Sequence, residues 1–109
     1  MTVFRVETYV IKPEKHDEYM AIMKKWAAYI QKSREKCKEL ESWKLFSQMF
    51  GGNSGGYVEM GEFESLADSE KFMKRVFHGH DELITTIVSE FTTCVVPGTY
   101  SVNMWNSVM

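Results

Sequence analysis

The sequence predicts an α+β fold in which a four-stranded antiparallel sheet carries helices on one face. Three observations favour it: short runs rich in β-branched and aromatic residues, two regions with a helical apolar period, and the chain length. The chain has 109 residues, of which 44% are hydrophobic and 26% are charged, as in ordinary globular proteins. A chain of this size buries about two-thirds of its unfolded surface. We therefore expect one domain over residues 1–109.

The first strand and the first helix are predicted from the first forty residues. Val3–Ile11 is rich in β-branched and aromatic side chains, which is typical of a strand. Pro13 ends this strand and suits the first turn of a helix. A helical period then continues for about twenty-five residues. The side chains on its predicted buried stripe are Tyr19, Ile22, Met23, Trp26, Ile30, Ser33, Cys37 and Leu40.

Two further strands follow, over residues 41–50 and 57–64. The segment 51–56 between them is rich in glycine, which tolerates positive φ, and it is predicted as a hairpin loop. Ser65 is placed to cap a second helix.

The C-terminal part is predicted to add a helix and a strand. Asp81 is placed to cap the helix, and Pro97 and Gly98 form a turn before a last strand over 99–106. The order β-α-β-β-α-(α)-β is the split-βαβ arrangement called ferredoxin-like.

The predicted strands are apolar on both faces, although the helices can cover only one. In strand one, Phe4, Val6 and Val10 alternate with Val3, Tyr9 and Ile11. An uncovered face would expose a larger apolar patch than monomers usually show. We therefore expect a homodimer through the helix-free face, or a higher oligomer that also uses it. The more uniformly apolar Phe4/Val6/Val10 side is predicted to face the helices, and the Val3/Tyr9/Ile11 side to form the interface.

Charge and composition argue against several classes of partner. The net charge of −2 does not favour nucleic-acid binding. No apolar run approaches the length of a membrane span, and residues 1–5 lack a signal-peptide pattern. Cys37 and Cys94 are interpreted as buried free thiols, so a cytoplasmic location is expected.

Two segments resemble NIPSNAP-type proteins. The run from Arg5 to Lys15, followed by Glu18 and Tyr19, resembles their opening strand and helix start, and 63–68 resembles the entry to their second helix. The chain departs from that pattern at Glu7, where arginine is usual, and at Glu14, where glycine is common. More broadly, it is similar to the dimeric α+β barrel superfamily, which includes antibiotic-biosynthesis-monooxygenase-like proteins.

The resemblance implies two sheets packed face to face across a dimer, with a small-molecule pocket between each sheet and its helices. Haem-degrading relatives carry an asparagine on strand one, where this chain has Val6, so that chemistry is not expected. The candidate pocket residues are Val6, Thr8, Trp26 and His80. No catalytic residue is assigned.

Neither a metal nor a cofactor is predicted. His78 and His80 are two residues apart, which places them about 200° apart around a helix, and Gly79 separates them. Metal sites on one helix instead use ligands four residues apart. His80 remains a candidate for the pocket mouth.

Arg5 and Glu7 are charged residues inside an apolar strand, and two interpretations are open. Glu7 acts as a proton acceptor, or the two residues form structural ion pairs across the dimer, with Lys44, Arg5 or Glu59 as candidate partners, since buried charges normally pair.

Three functions follow as hypotheses. The first is a binding protein for a small apolar or aromatic ligand held between sheet and helices. The second is a cofactor-independent monooxygenase-like enzyme. The third is a non-catalytic oligomeric interaction module, which a completely filled space between sheet and helices would favour.

Overall fold

A computed structural model describes residues 2–52 and 54–109 and shows four strands and three α-helices. Met1 and Asn53 lie outside the described residues, the latter inside the predicted 51–56 loop. A short 3₁₀ turn, Pro13–Lys15, precedes the first helix. In chain order the elements are β1 (Val3–Val10), α1 (His16–Lys32), β2 (Ser42–Ser47), β3 (Gly56–Phe63), α2 (Leu66–Phe77), α3 (Glu82–Cys94) and β4 (Ser101–Asn106).

The strands form one sheet in the order β2-β3-β1-β4, with every neighbouring pair antiparallel. This arrangement confirms the predicted ferredoxin-like fold. Among the described residues, no helix combines the length and apolar character needed to cross a membrane.

The core lies between the helices and the face of the sheet that carries Val3, Tyr9 and Ile11. Tyr9 packs edge-on against Phe91 of α3, with ring centroids 4.9 Å apart. Its hydroxyl lies 2.6 Å from that of Tyr19 on α1, which is fully buried. The sequence-based assignment of the two faces was therefore wrong, because the Val3/Tyr9/Ile11 side faces the helices.

Within residues 2–52 and 54–109, no helix covers the opposite face of the sheet. Side chains alternate along a strand, and residues paired across strands share a face, so the register with β1 identifies its members. Trp105 and Phe46 on this face are 61% and 47% exposed. Its apolar members are Phe4, Val6, Val10, Phe46, Val58, Met60 and Trp105; we call this set the open face.

The first helix is shorter than predicted. It ends at Lys32, and residues 34–39 continue as turns. The backbone N–H of Cys37 still donates to the carbonyl of Ser33, at 3.1 Å, and Cys37 is buried. The local turns therefore preserve a helix-like spacing of core residues after the helix has ended, which explains the longer periodic pattern.

Ionic contacts hold the 33–41 segment against the later helices. The guanidinium of Arg75 on α2 makes two hydrogen bonds to the carboxylate of Glu39, at 2.5 and 2.6 Å. This pairing lowers the pKa of Glu39. Lys36 reaches Asp81 at the start of α3, at 3.4 Å. A segment without regular structure is thereby placed beside the helix face of the sheet.

The cap of α2 gives a direct test of local structure. The Ser65 hydroxyl accepts a hydrogen bond from the backbone N–H of Asp68, at 3.1 Å. We expect Ser65→Ala to lower the free energy of unfolding by about 1 kcal/mol. Urea denaturation measures the change. Ser89→Ala, at an exposed position inside α3, is the matched control and should not lower the free energy of unfolding, because alanine has the higher helix propensity. Equal effects of the two substitutions would contradict the capping role.

Candidate functional site

A cavity of about 710 Å³ lies between the helix face of the sheet and the three helices. Trp26 of α1, Trp43 of β2 and residues of α2 and α3 line it together with the centre of β1 and β3. Its volume is in the range typical of small-molecule sites. The aromatic side chains in its wall are Trp26, Trp43, Phe63, Phe72, Phe77, Phe91 and Tyr100.

Gly61 lets two neighbouring side chains approach the sheet closely beneath this cavity. It lies opposite Arg5 on β1 and Trp43 on β2, both of which line the cavity. A Cβ at this position would lie 3.3 Å from the Leu40 side chain and 3.4 Å from the Phe63 ring. A side chain on residue 61 would therefore crowd Leu40 and Phe63 in the cavity wall.

Three charged residues lie in the cavity wall. Arg5 and Glu7 of β1 form an ion pair, with Arg5 Nε donating to Glu7 Oε1 at 3.0 Å. The hydroxyl of Tyr100 donates to the other oxygen of Glu7, at 2.8 Å. Glu59 of β3 is the cross-strand partner of Glu7. Arg5 therefore pairs with Glu7 within one chain, whereas the sequence-based interpretation placed such a pair across the dimer.

The carboxylate of Glu59 is held by uncharged donors. It is 9% exposed, and its two oxygens accept hydrogen bonds from the Tyr9 hydroxyl, at 2.8 Å, and from the Trp43 indole N–H, at 3.0 Å. The hydroxyl of Tyr19 lies 2.6 Å from that of Tyr9 and extends the network towards α1. The network orients Glu59 but supplies no positive charge.

Burial and, after it, the negative charge of Glu7 raise the pKa of Glu59 to about 7, against the opposing hydrogen bonds from Tyr9 and Trp43. Burial and the charge of Glu59 raise the pKa of Tyr9 above its ordinary value. Burial and Glu7 likewise raise the pKa of Tyr100. Both tyrosines therefore stay protonated as donors at neutral pH, while Glu59 exchanges its proton in that range.

The structure brings only one of the predicted pocket residues to this cavity. Trp26 lines it, 6% exposed, with its ring stacked on Tyr29 at 5.7 Å between centroids. Val6 and Thr8 project from β1 towards the opposite face, which corrects their expected placement. His80 is exposed, at a φ of 60°, and does not line the cavity.

The charged cluster was only partly identified from the sequence. Arg5 and Glu7 are recognisable in the sequence because they interrupt an apolar strand, whereas Glu59 enters only as one candidate partner in an ion pair. An acidic residue in the middle of a predicted strand was the available signal for Glu59. Its position opposite Glu7 depends on strand register, which the sequence does not show.

Two structural features concern metal binding and thiol chemistry. No group of three His, Cys, Asp or Glu side chains within residues 2–52 and 54–109 is arranged to hold a metal ion. Cys37 and Cys94 are both buried free thiols. Burial raises the pKa of Cys37, so its thiol stays protonated at neutral pH.

Neither a protein-family model nor a curated protein sequence matches this chain. Solved structures do match. A NIPSNAP family protein from Agrobacterium tumefaciens is 14% identical, over 97% of this chain and 92% of that one, with a TM-score of 0.73. A mutant of SnoaB, a cofactor-independent oxygenase from Streptomyces nogalater, is 8% identical, over 99% and 94% of the two chains, with a TM-score of 0.70.

A third match is a dimeric protein of unknown function and ferredoxin-like fold from Bacteroides fragilis. It is 11% identical, over 97% of this chain and 96% of that one, with a TM-score of 0.64. The chain shares the fold of these proteins. The resemblance to NIPSNAP-type and monooxygenase-like proteins is thereby confirmed for the fold, which hosts more than one function.

The raised pKa of Glu59 predicts how stability depends on pH. The folded protein holds this proton more tightly than the unfolded chain, whose glutamate titrates near 4.5. The free energy of unfolding should therefore fall by up to about 3 kcal/mol as pH rises from 4.5 through 7. Urea denaturation at one fixed protein concentration, at half-unit steps between pH 4.5 and 8, measures this slope.

Glu59→Gln should remove that contribution and stabilise the protein above pH 7. The amide can accept from Trp43 and donate to Tyr9, whose hydroxyl then donates to Tyr19. Glu64→Gln, exposed just beyond β3, removes the same charge and should leave the slope unchanged. An identical slope in the Glu59→Gln variant and the unsubstituted protein would contradict the assignment to Glu59.

Proposed function

We propose that the protein binds a small, largely aromatic ligand in the cavity between its sheet and helices. The observation that carries this proposal is the cavity itself, about 710 Å³ in volume and walled by aromatic rings, with a buried carboxylate facing it. Ligand sites typically combine an apolar lining with a few well-placed polar groups. A filled space would instead have favoured an interaction module.

The polar groups of the cavity suit the orientation of such a ligand. Glu59 and Glu7 offer acceptor oxygens, and Arg5 offers guanidinium N–H groups beyond the one bonded to Glu7. All three project from the two central strands, so the hydrogen-bonded sheet fixes their relative positions. The aromatic walls then supply contact area for flat rings.

A cofactor-independent oxygenase is a second candidate function. Glu59, with a pKa of about 7, suits a proton acceptor at neutral pH, and SnoaB, which shares the fold, is described as a cofactor-independent oxygenase. In such a step dioxygen converts a substrate CH₂ group to a carbonyl; one oxygen atom enters the product and the other leaves as water. Oxygen uptake with a panel of quinols and polyphenols tests it, and activity that survives Glu59→Gln unchanged would contradict the role of Glu59.

The proposal includes a homodimer formed through the open face. None of the described helices lies over the apolar side chains of that face, and burying such a patch at about 25 cal/mol per Å² is favourable. A protein of the same fold from Bacteroides fragilis is described as dimeric. This pairing leaves each cavity on the outer side of its own sheet, among its own helices. We retain a cytoplasmic location as part of this proposal, in keeping with two free thiols.

Ligand binding is tested by blocking the cavity from α3. Thr92 is exposed and lines the cavity, whereas its neighbour Thr93 is exposed and does not. We expect N-phenyl-1-naphthylamine, an uncharged aromatic probe, to gain fluorescence saturably with one site per chain. Thr92→Trp should weaken its binding at least about tenfold by occupying the cavity. Thr93→Trp should leave it unchanged, and equal binding by both variants would contradict this site.

The dimer is tested by placing a charge on the open face. Trp105→Asp removes a large, exposed apolar side chain from its edge without opening the core. We expect the dimer dissociation constant from sedimentation equilibrium to rise at least about tenfold. Met49→Asp, at a position 89% exposed outside the sheet, is the control. A mass near 12.7 kDa for the unsubstituted protein at micromolar concentration would overturn the dimer.

A further inference from the structure

The cavity wall carries one more negative charge than positive. Arg5 pairs with Glu7, so its charge compensates Glu59 only in part, and among the described residues the carboxylate of Glu59 has no ion-pair partner of its own. None of the ion pairs found in residues 2–52 and 54–109 includes Glu59. A buried charge held only by neutral donors costs stability. Protonation relieves this cost, and so would a positively charged group entering the cavity.

We propose that the cavity selects a ligand with a protonated amine on an aromatic body, and that Glu59 binds the ammonium group. The inference rests on the proposed binding function and adds the chemical class of the ligand. The ammonium would compensate the unpaired carboxylate and replace its missing cation with a charge-assisted hydrogen bond. Each oxygen of Glu59 accepts one bond from the protein and retains a further lone pair.

The walls of the cavity favour the same ligand class. Cations are attracted to the faces of aromatic rings, most strongly to those of tryptophan. Trp43 touches Glu59 through its indole N–H, and Trp26, Phe91 and Tyr100 also line the cavity. A hydroxyl in place of the amine would form a hydrogen bond but leave the charge uncompensated. A carboxylate would be repelled by Glu59 and Glu7.

The titratable groups around Glu59 define the pH range of the test. Arg5, Glu7 and Tyr9 face it from β1, Tyr19 from α1, and Tyr100 from β4. His78, at the end of α2, also lines the cavity but is exposed to solvent, and α3 contributes no charged side chain to the lining. At pH 8 Glu59 is ionised and at pH 5.5 it is protonated, so the preference for an amine should be strong at the first pH and weak at the second.

Three indole compounds separate the head group from the aromatic body. Tryptamine, tryptophol and indole-3-propionate share one ring system and carry an amine, a hydroxyl and a carboxylate. We expect isothermal titration calorimetry at pH 8 to show tryptamine binding at least about tenfold more tightly than tryptophol, and indole-3-propionate most weakly. At pH 5.5 the tryptamine preference over tryptophol should fall to less than about threefold.

Glu59→Gln should reduce the preference for tryptamine over tryptophol at pH 8 to less than about threefold, and Glu64→Gln should keep the full preference. The pH comparison on the unsubstituted protein gives the same test if Glu59→Gln fails to fold. Equal binding of tryptamine and tryptophol at pH 8, tighter binding of tryptophol, or an unchanged preference in Glu59→Gln would each overturn the amine proposal. Binding of N-phenyl-1-naphthylamine, blocked by Thr92→Trp, would still support the cavity as a ligand site in those cases. The absence of binding by the probe and all three indoles would overturn both proposals.

Discussion

Eight residue pairs join β1 to β3 in an antiparallel register, and that register decides which side chains face the helices. It places Glu7 opposite Glu59, Arg5 opposite Gly61 and Val3 opposite Phe63. Because side chains alternate along a strand, a slip of one residue would move all of them to the other face. The cavity, its charged cluster and the open face therefore all depend on this one pairing.

The same register creates an electrostatic cost that hydrogen bonds reduce but do not remove. Like charges directly opposite each other on paired strands are unfavourable. Arg5 and Tyr100 satisfy Glu7, and Tyr9 and Trp43 satisfy the hydrogen-bonding needs of Glu59. If Glu7 and Glu59 had only a structural role, two uncharged side chains at these positions would serve it as well. The unpaired charge of Glu59 therefore favours proton uptake by this carboxylate and, in our proposal, also favours binding of the ligand.

The two faces of the sheet carry different features. The helix face carries the cavity and its polar network, and the open face carries an apolar surface with exposed residues such as Trp105 and Phe46. Proteins of the same fold include an oxygenase, a NIPSNAP family protein and a dimer of unknown function. In this chain the fold places a cavity between the sheet and the helices, and Arg5, Glu7 and Glu59 are the charged groups that line it.

Local periodicity and side-chain chemistry are enough to predict the order of elements, the helix caps at Ser65 and Asp81, and the apolar character of both sheet faces. The interrupted apolar pattern of β1 also singles out Arg5 and Glu7. The end of α1 and the face of the sheet that the helices cover depend instead on tertiary packing. The number of apolar residues on each face of β1 predicts the wrong face for the helices, because the core face also contains the charged cluster. Glu7 has a local partner in Arg5, but Glu59 depends on Tyr9 and Trp43, which lie 50 and 16 residues away in the chain, and no local pattern reveals those partners.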